Sequence, residues 1–199
     1  MTITYELDKN LYINITNRCP NACEFCIRTE GDSIGGNDSL WLDREPDVKE
    51  ICDDIDKREL SKYNEIVFCG FGEPTCRLED LIEIAKYIRK KSDIKIRINT
   101  NGLSDLINNR PTAKEMVGVI DCLSISLNAS DAKSYDAVCH SEFGLDAFDA
   151  MLDFTKSAVG VIPEVIMSVV DTIGKEEIEK CRKICESTGA KFRVREFIS

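Results

Sequence analysis

Leu11-Tyr12-Ile13-Asn14-Ile15-Thr16 runs directly into Asn17-Arg18-Cys19-Pro20-Asn21-Ala22-Cys23-Glu24-Phe25-Cys26. The first six residues read as a buried strand. The ten that follow carry three cysteines at C-x3-C-x2-C spacing on one short loop. Three thiolates so placed can hold three irons of a [4Fe-4S] cube and leave the fourth iron open to a small molecule, whereas an electron-transfer ferredoxin takes four. Zinc also accepts thiolates, but it wants a fourth ligand, usually from a second Cys/His pair at its own short spacing. No C-x2-C or H-x3-H occurs elsewhere in the chain.

Working outward, β-branched runs bounded by turn residues recur at 11–16, 65–69, 94–100, 120–127, 165–170 and 191–197, and each predicts a largely buried strand. Helix-period segments lie between them. Pro46 opens the first; Leu78, Leu81, Ala85 and Ile88 stripe the second, with Thr75 as its expected N-cap. Residues 104–117 make a third, interrupted by Pro111. A broken fourth covers 131–138 and 145–155, and 175–187, stopped by Gly189, makes the fifth. Strict alternation of strand and helix predicts parallel strands with right-handed crossovers. A closed eight-stranded barrel usually takes about 250 residues, which leaves six strands here. Two architectures accommodate six: an open (β/α)6 partial barrel and a doubly wound sheet.

Polar and glycine-rich phrases follow several of these strands. After the second comes Cys69-Gly70-Phe71-Gly72-Glu73-Pro74-Thr75, after the third Asn99-Thr100-Asn101-Gly102, and the fourth ends in Ser124-Ile125-Ser126-Leu127-Asn128-Ala129. Taken singly these are a turn with an exposed acid, an Asn-Gly turn and a solvated strand end. Their repetition at strand ends favours a barrel, where active sites gather at the C-terminal ends of several strands.

Taken together, the phrases resemble the radical S-adenosylmethionine (SAM) superfamily, whose cluster motif is C-x3-C-x-aromatic-C. Cys19, Cys23 and Cys26 match its cluster ligands, and Phe25 its aromatic position near the adenine. Gly70, Gly72 and Glu73 match a GGEP motif in which Phe71 replaces one glycine. The resemblance implies a partial, open (β/α)6 TIM-like barrel with parallel strands, one core domain over 1–199, and two cofactors, a [4Fe-4S] cluster and SAM. It implies that the reduced cluster cleaves SAM to a 5'-deoxyadenosyl radical that acts on an unknown substrate. It also implies that Glu73 holds the SAM ammonium, with Gly70 and Gly72 letting the backbone approach the ligand. By the same resemblance Asn101 is expected to take a supporting polar role, and Ser126 and Asn128 to meet the ribose. Val169 or Val170 is expected beside adenine, although core packing suits that uncharged strand as well. Within the superfamily the short chain looks most like the stand-alone proteins associated with TatD-family nucleases, which makes such a nuclease an expected partner, together with an electron donor such as flavodoxin or ferredoxin.

Composition sets outer limits. At 199 residues, 43% hydrophobic and 31% charged, the chain suits one soluble globular domain. A formal charge of −10 argues against a broad nucleic-acid surface. The N-terminus shows no basic-then-apolar leader and no apolar run long enough to span a membrane, so a cytoplasmic location is expected. The ten cysteines are expected to be reduced. Cys52, Cys181 and Cys185 fall on helical stripes as packing groups. Cys69 and Cys76 flank the glycine motif, and Cys139 precedes the single histidine, His140, for which a structural role is expected.

Two enzymatic alternatives differ in substrate: a glycyl-radical-enzyme activase admitting a protein loop, and a 7-carboxy-7-deazaguanine synthase-like enzyme, a family that usually lengthens its cysteine loop. A non-enzymatic alternative is an iron-sulfur redox or binding partner. The segment 28–43, with Gly31, Gly35, Gly36 and Trp41, has the length of a lid or substrate loop.

Overall fold

The computed structural model describes residues 1–33 and 35–196. The end of the last expected strand, Phe197, lies outside them. Seven strands form one sheet in strictly sequential order: β1 (Thr4–Leu7), β2 (Asn10–Ile13), β3 (Glu65–Phe68), β4 (Lys95–Thr100), β5 (Cys122–Ser126), β6 (Glu164–Val170) and β7 (Lys191–Arg195). The helices between them are α1 (Ile27–Glu30), α2 (Val48–Ile55), α3 (Leu78–Arg89), α4 (Ser104–Asn108), α5 (Ala132–Cys139), α6 (Asp146–Ala158) and α7 (Lys175–Thr188). The pairs from β2 to β7 are parallel.

The sequence reading of six wholly parallel strands is corrected at the N-terminus. β1 is a seventh strand, antiparallel to β2, joined through Asp8 and Lys9 with φ of 48° and 61°. Two left-handed residues make the tight hairpin turn that matches strand twist. Asp-Lys is not a glycine-bearing turn signal, and this is why the hairpin escaped the pattern. Its outer strand is tied down by side chains: the Thr4 hydroxyl donates to Asp54 of α2 at 2.6 Å, and Arg58 Nη2 donates to the Thr4 carbonyl at 3.1 Å.

A doubly wound sheet reverses direction at a switch point; here no reversal occurs, and α2 to α7 all contribute side chains to one core cluster with the strands. The core shows this directly. Leu11, Ile13, Ile66, Phe68, Ile96, Ile98, Leu123, Ile125, Val165 and Met167 all enter the cluster built with the helices. Their strand neighbours Val67, Cys122 and Ile166 are buried too, but on the opposite, helix-free face. Cys52, Cys181 and Cys185 are buried packing groups, as expected.

Local chemistry sets the helix ends. Asp47 caps α2 in a reciprocal box, its carboxylate accepting from the Glu50 N–H at 2.8 Å while Glu50 accepts from the Asp47 N–H at 2.9 Å. The third helical segment breaks as Pro111 requires: α4 ends at left-handed Asn109, and a separate 3-10 turn follows at Ala113–Met116. Thr75 is not the N-cap of α3. A 3-10 turn over Pro74–Arg77 precedes that helix, its N-cap is Glu73, and the Thr75 hydroxyl donates to the Glu73 carboxylate at 2.7 Å. Among the described residues no helix is long and apolar enough to cross a membrane.

Removing the α2 cap tests this account: Asp47→Ala is expected to cost about 1 kcal/mol of unfolding free energy in urea titration. An unchanged midpoint would show that the box contributes nothing beyond solvent.

Candidate functional site

The exits of β2, β3 and β4 meet at one place, and Glu73 is the side chain that joins them. Its backbone N–H donates to the Arg18 carbonyl at 2.7 Å, on the approach to the cysteines. Its Oε1 accepts from the Thr75 N–H at 3.0 Å, the Thr75 hydroxyl at 2.7 Å and the Thr100 hydroxyl at 2.8 Å, while Oε2 accepts from the Asn101 N–H at 2.7 Å. Every one of these donors is neutral. Glu73 is 3% exposed, and among the described residues it has no ion-pair partner. Burial pushes its carboxyl above the usual range against the pull of those hydrogen bonds. A buried carboxylate without a cation is costly, and Oε2 keeps acceptor capacity.

The glycines of the same turn are explained by the protein itself. A Cβ on Gly70 would lie 2.0 Å from Asn14 Oδ1, and one on Gly72 would lie 2.4 Å from the Thr16 carbonyl oxygen and 2.6 Å from that of Arg18. The sequence reading gave both glycines to the ligand; the space they leave is filled by the exit of β2, which brings Glu73 against the cysteine loop. Phe71 is buried with Tyr5 and Leu40 and meets Trp41 edge-on at 5.0 Å between ring centroids.

The cysteine loop is seated on the end of α5, a contact that no local pattern announces. Ala22 N–H donates to the Cys139 carbonyl at 2.9 Å, Glu24 N–H to Val138 at 3.0 Å, and Glu142 N–H to Pro20 at 2.8 Å. Left-handed His140 ends α5 there, with Nε2 3.4 Å from Glu24 Oε1, a structural placement. Cys139 is buried beneath the loop and hydrogen-bonds with Cys23, which pushes the Cys23 thiol up. Burial, then the charge of Glu73, pushes Cys19 up to about 12. Held as thiolates, these sulfurs need positive charge beside them, which bound iron supplies. Cys19 and Cys76 line one cleft of about 440 Å³ with Arg18 and Arg28. Among the described residues no three His, Cys, Asp or Glu side chains converge as the ligands of a single ion.

The remaining assigned residues divide. Asn101 Oδ1 accepts from the Leu103 N–H at 2.9 Å, and its Nδ2 is buried with no partner. Ser126 is half-buried on the helix-free face. Asn128 has φ 63°, which ends the strand alternation; its Nδ2 donates to Cys139 Sγ at 3.4 Å, and its Oδ1 is buried without a partner. Phe25 packs half-buried against the main core. Val169 is corrected: it lies fully buried in the helix-side core with Val165 and Met167, so strand periodicity puts it on the face away from these groups. Val170 is on the helix-free face. Sequence reasoning missed Arg77, whose Nη1 donates to the carbonyls of Ile15 and Pro46, both at 2.7 Å, and fastens the β2 exit from below. Its only signal was a basic residue just before α3.

Two substitutions separate these roles. Gly72→Ala is expected to push the glycine turn off the cysteine loop, costing about 1–3 kcal/mol and speeding thiol modification of Cys19. Val169→Ala is expected to lower thermal stability while leaving SAM affinity at the parent value; weaker SAM binding at unchanged stability would return Val169 to the site.

A family model for the radical SAM superfamily matches residues 13–185. Among curated proteins, a GTP 3',8-cyclase from Corynebacterium glutamicum (strain R) is 28% identical over 197 residues, covering 93% of this chain and 48% of that protein. A GTP 3',8-cyclase from Mycobacterium ulcerans is 24% identical over 93% of this chain and 49% of its own length, so the chain spans about half the length of these relatives. Among solved structures, Streptococcus suis SuiB bound to S-adenosylmethionine superposes with a TM-score of 0.66 at 19% identity, over 96% of this chain and 39% of that one. The span matched by the family model includes the three cysteines, the glycine turn and the exits of β4, β5 and β6, and on it the chain belongs to the radical SAM superfamily.

Proposed function

We propose that this chain is a radical SAM enzyme in which Cys19, Cys23 and Cys26 hold a [4Fe-4S] cluster and Glu73 receives the ammonium group of SAM. The observation that carries the reading is the buried Glu73 carboxylate, held by four neutral hydrogen bonds and lacking a cation, next to a three-cysteine loop. The residues fit both groups: three thiols for three iron corners, one unpaired buried charge for an ammonium, and partnerless amide atoms on Asn101 and Asn128. When bound, the cluster supplies the electron that splits the SAM sulfonium to a 5'-deoxyadenosyl radical. The protein's part is to fix positions. Thr75, Thr100 and Asn101 prevent Glu73 from turning away, Phe25 offers an apolar surface beside Cys26, and Ser126 with Asn128 offers polar groups to the ribose.

The sheet is, on this reading, the partial (β/α)6 barrel of the family with an antiparallel strand added at its start. Sequential strand order and the burial of Val67, Cys122 and Ile166 on a face without helices support it. The finer placement beside TatD-associated proteins, and a TatD-family nuclease as partner, stand on the phrase Phe68–Thr75. Co-purification with such a nuclease tests it. The curated relatives are named for GTP, which makes GTP the first substrate to add.

Reconstituted anaerobically, the protein is expected to bind about four irons per chain, and Cys19→Ala, Cys23→Ala or Cys26→Ala to lose the cluster. With dithionite and SAM it should release 5'-deoxyadenosine and methionine slowly even without substrate, because the reactants are held together. Chromatography with and without GTP, using Cys26→Ala as the blank, reads this. No release above the blank from a full, reduced, SAM-bound cluster would overturn the proposal.

Glu73 has its own test. A carboxyl whose folded pKa is raised favours the fold below its unfolded pKa and loses that advantage as pH rises through the folded value. Ionising Glu73 therefore weighs against the fold until a cation joins it. SAM is expected to raise the melting temperature more in the parent than in Glu73→Gln; equal shifts would make Glu73 purely structural.

A further inference from the structure

The chain as a whole is acidic, at −10, yet the helix-free face of its sheet is not. Strand alternation and register put Lys95 and Arg97 of β4 and Lys191, Arg193 and Arg195 of β7 on that face, against two carboxylates, Glu65 of β3 and Glu164 of β6. Both carboxylates are already engaged. Glu65 meets Arg97 at 2.7 Å, and Glu164 meets Lys95 at 2.8 Å and Lys191 at 2.7 Å. Arg193 and Arg195 are left with no carboxylate among the described residues. Ser126 of the site is in register with Ser168 and through it with Arg193, and Arg195 is in register with Val170.

Charged side chains on an edge strand often do no more than block pairing with another sheet, and β7 is an edge. That account does not reach β4, an interior strand. Arg97 is 13% exposed along its side chain, and its Nε is buried without a partner. Arg195 is exposed on that face, where the like charges of Arg193 and Arg97 repel it. Like charges gathered beside an unfilled donor are relieved by an anion.

We propose that the helix-free face binds a small anionic substrate, its phosphate or carboxylate group gripped by Arg193 and Arg195, with the unpartnered Arg97 Nε offering a further donor. The planar guanidinium matches either oxyanion with paired hydrogen bonds. This inference rests on the radical SAM reading above, because it places the substrate on the side of the sheet reached from the exits of β3 to β6, where SAM is proposed to sit.

The experiment uses the full chain, anaerobically reconstituted and SAM-loaded, with tripolyphosphate as the phosphate probe and glutarate as the carboxylate probe, followed by calorimetry. One probe is expected to bind saturably and to weaken as salt rises. Arg193→Gln and Arg195→Gln should each weaken it by about tenfold or more, Arg195→Lys by less, and the remote control Lys180→Gln not at all. Iron content and SAM affinity should stay at parent values in every variant. Three results would overturn the proposal: neither probe binding, equal binding by parent and arginine variants, or a parallel fall in SAM affinity, which would give the arginines to the SAM carboxylate. If the parent itself holds no cluster or SAM, the radical SAM reading fails instead.

Discussion

The Glu73 carboxylate is the constraint on which the site depends. It is fastened to the exits of β3 and β4 by the Thr75, Thr100 and Asn101 donors, and its own N–H reaches the Arg18 carbonyl ahead of the cysteines. A charged group held by several donors in a buried place has few alternative positions, since releasing any donor exposes an unsatisfied partner. Three separate strand ends are thereby kept in one arrangement. The same lack of a cation that makes this network costly also makes it receptive to one.

Around that network the molecule divides labour between the two faces of its sheet. The helix side is apolar and closely filled, from Leu11 through Met167, and supplies the stability. The opposite side carries tyrosines, serines, asparagines and arginines, several with partnerless atoms, and has no helix to cover it. A strand's two-residue period makes the division possible: each strand contributes alternate residues to a rigid core and to a chemical surface. The cysteine loop belongs to neither face, and is held instead by backbone hydrogen bonds to the end of α5.

Much of this was legible because the informative features were local. Three cysteines on one loop, glycines before an acid, and the alternation of β-branched runs with helical stripes each need only a few neighbouring residues to be read. Gly189 marked the end of α7 for the same reason, since caps act within one turn. The errors were of another kind. β1 was missed because its turn has no glycine and its partner could be known only once β2 was placed. Thr75 was read as a cap because its hydroxyl was assigned to the helix it precedes, while it donates to a carboxylate two residues back.

By itself the sequence determined the chemistry on offer: the thiols, the acid, the strand order's alternation and the family to which they belong. Tertiary structure alone decided what those groups face. It turned Val169 toward the helices, because register fixes which alternate residues point inward. It spent the freedom of Gly70 and Gly72 on close contact with the β2 exit. It set Cys139 under Cys23 across more than a hundred residues, and among the described residues it left Arg193 and Arg195 without carboxylates. Burial, pairing and facing are relations between distant residues, and they exist only once the sheet has brought those residues together.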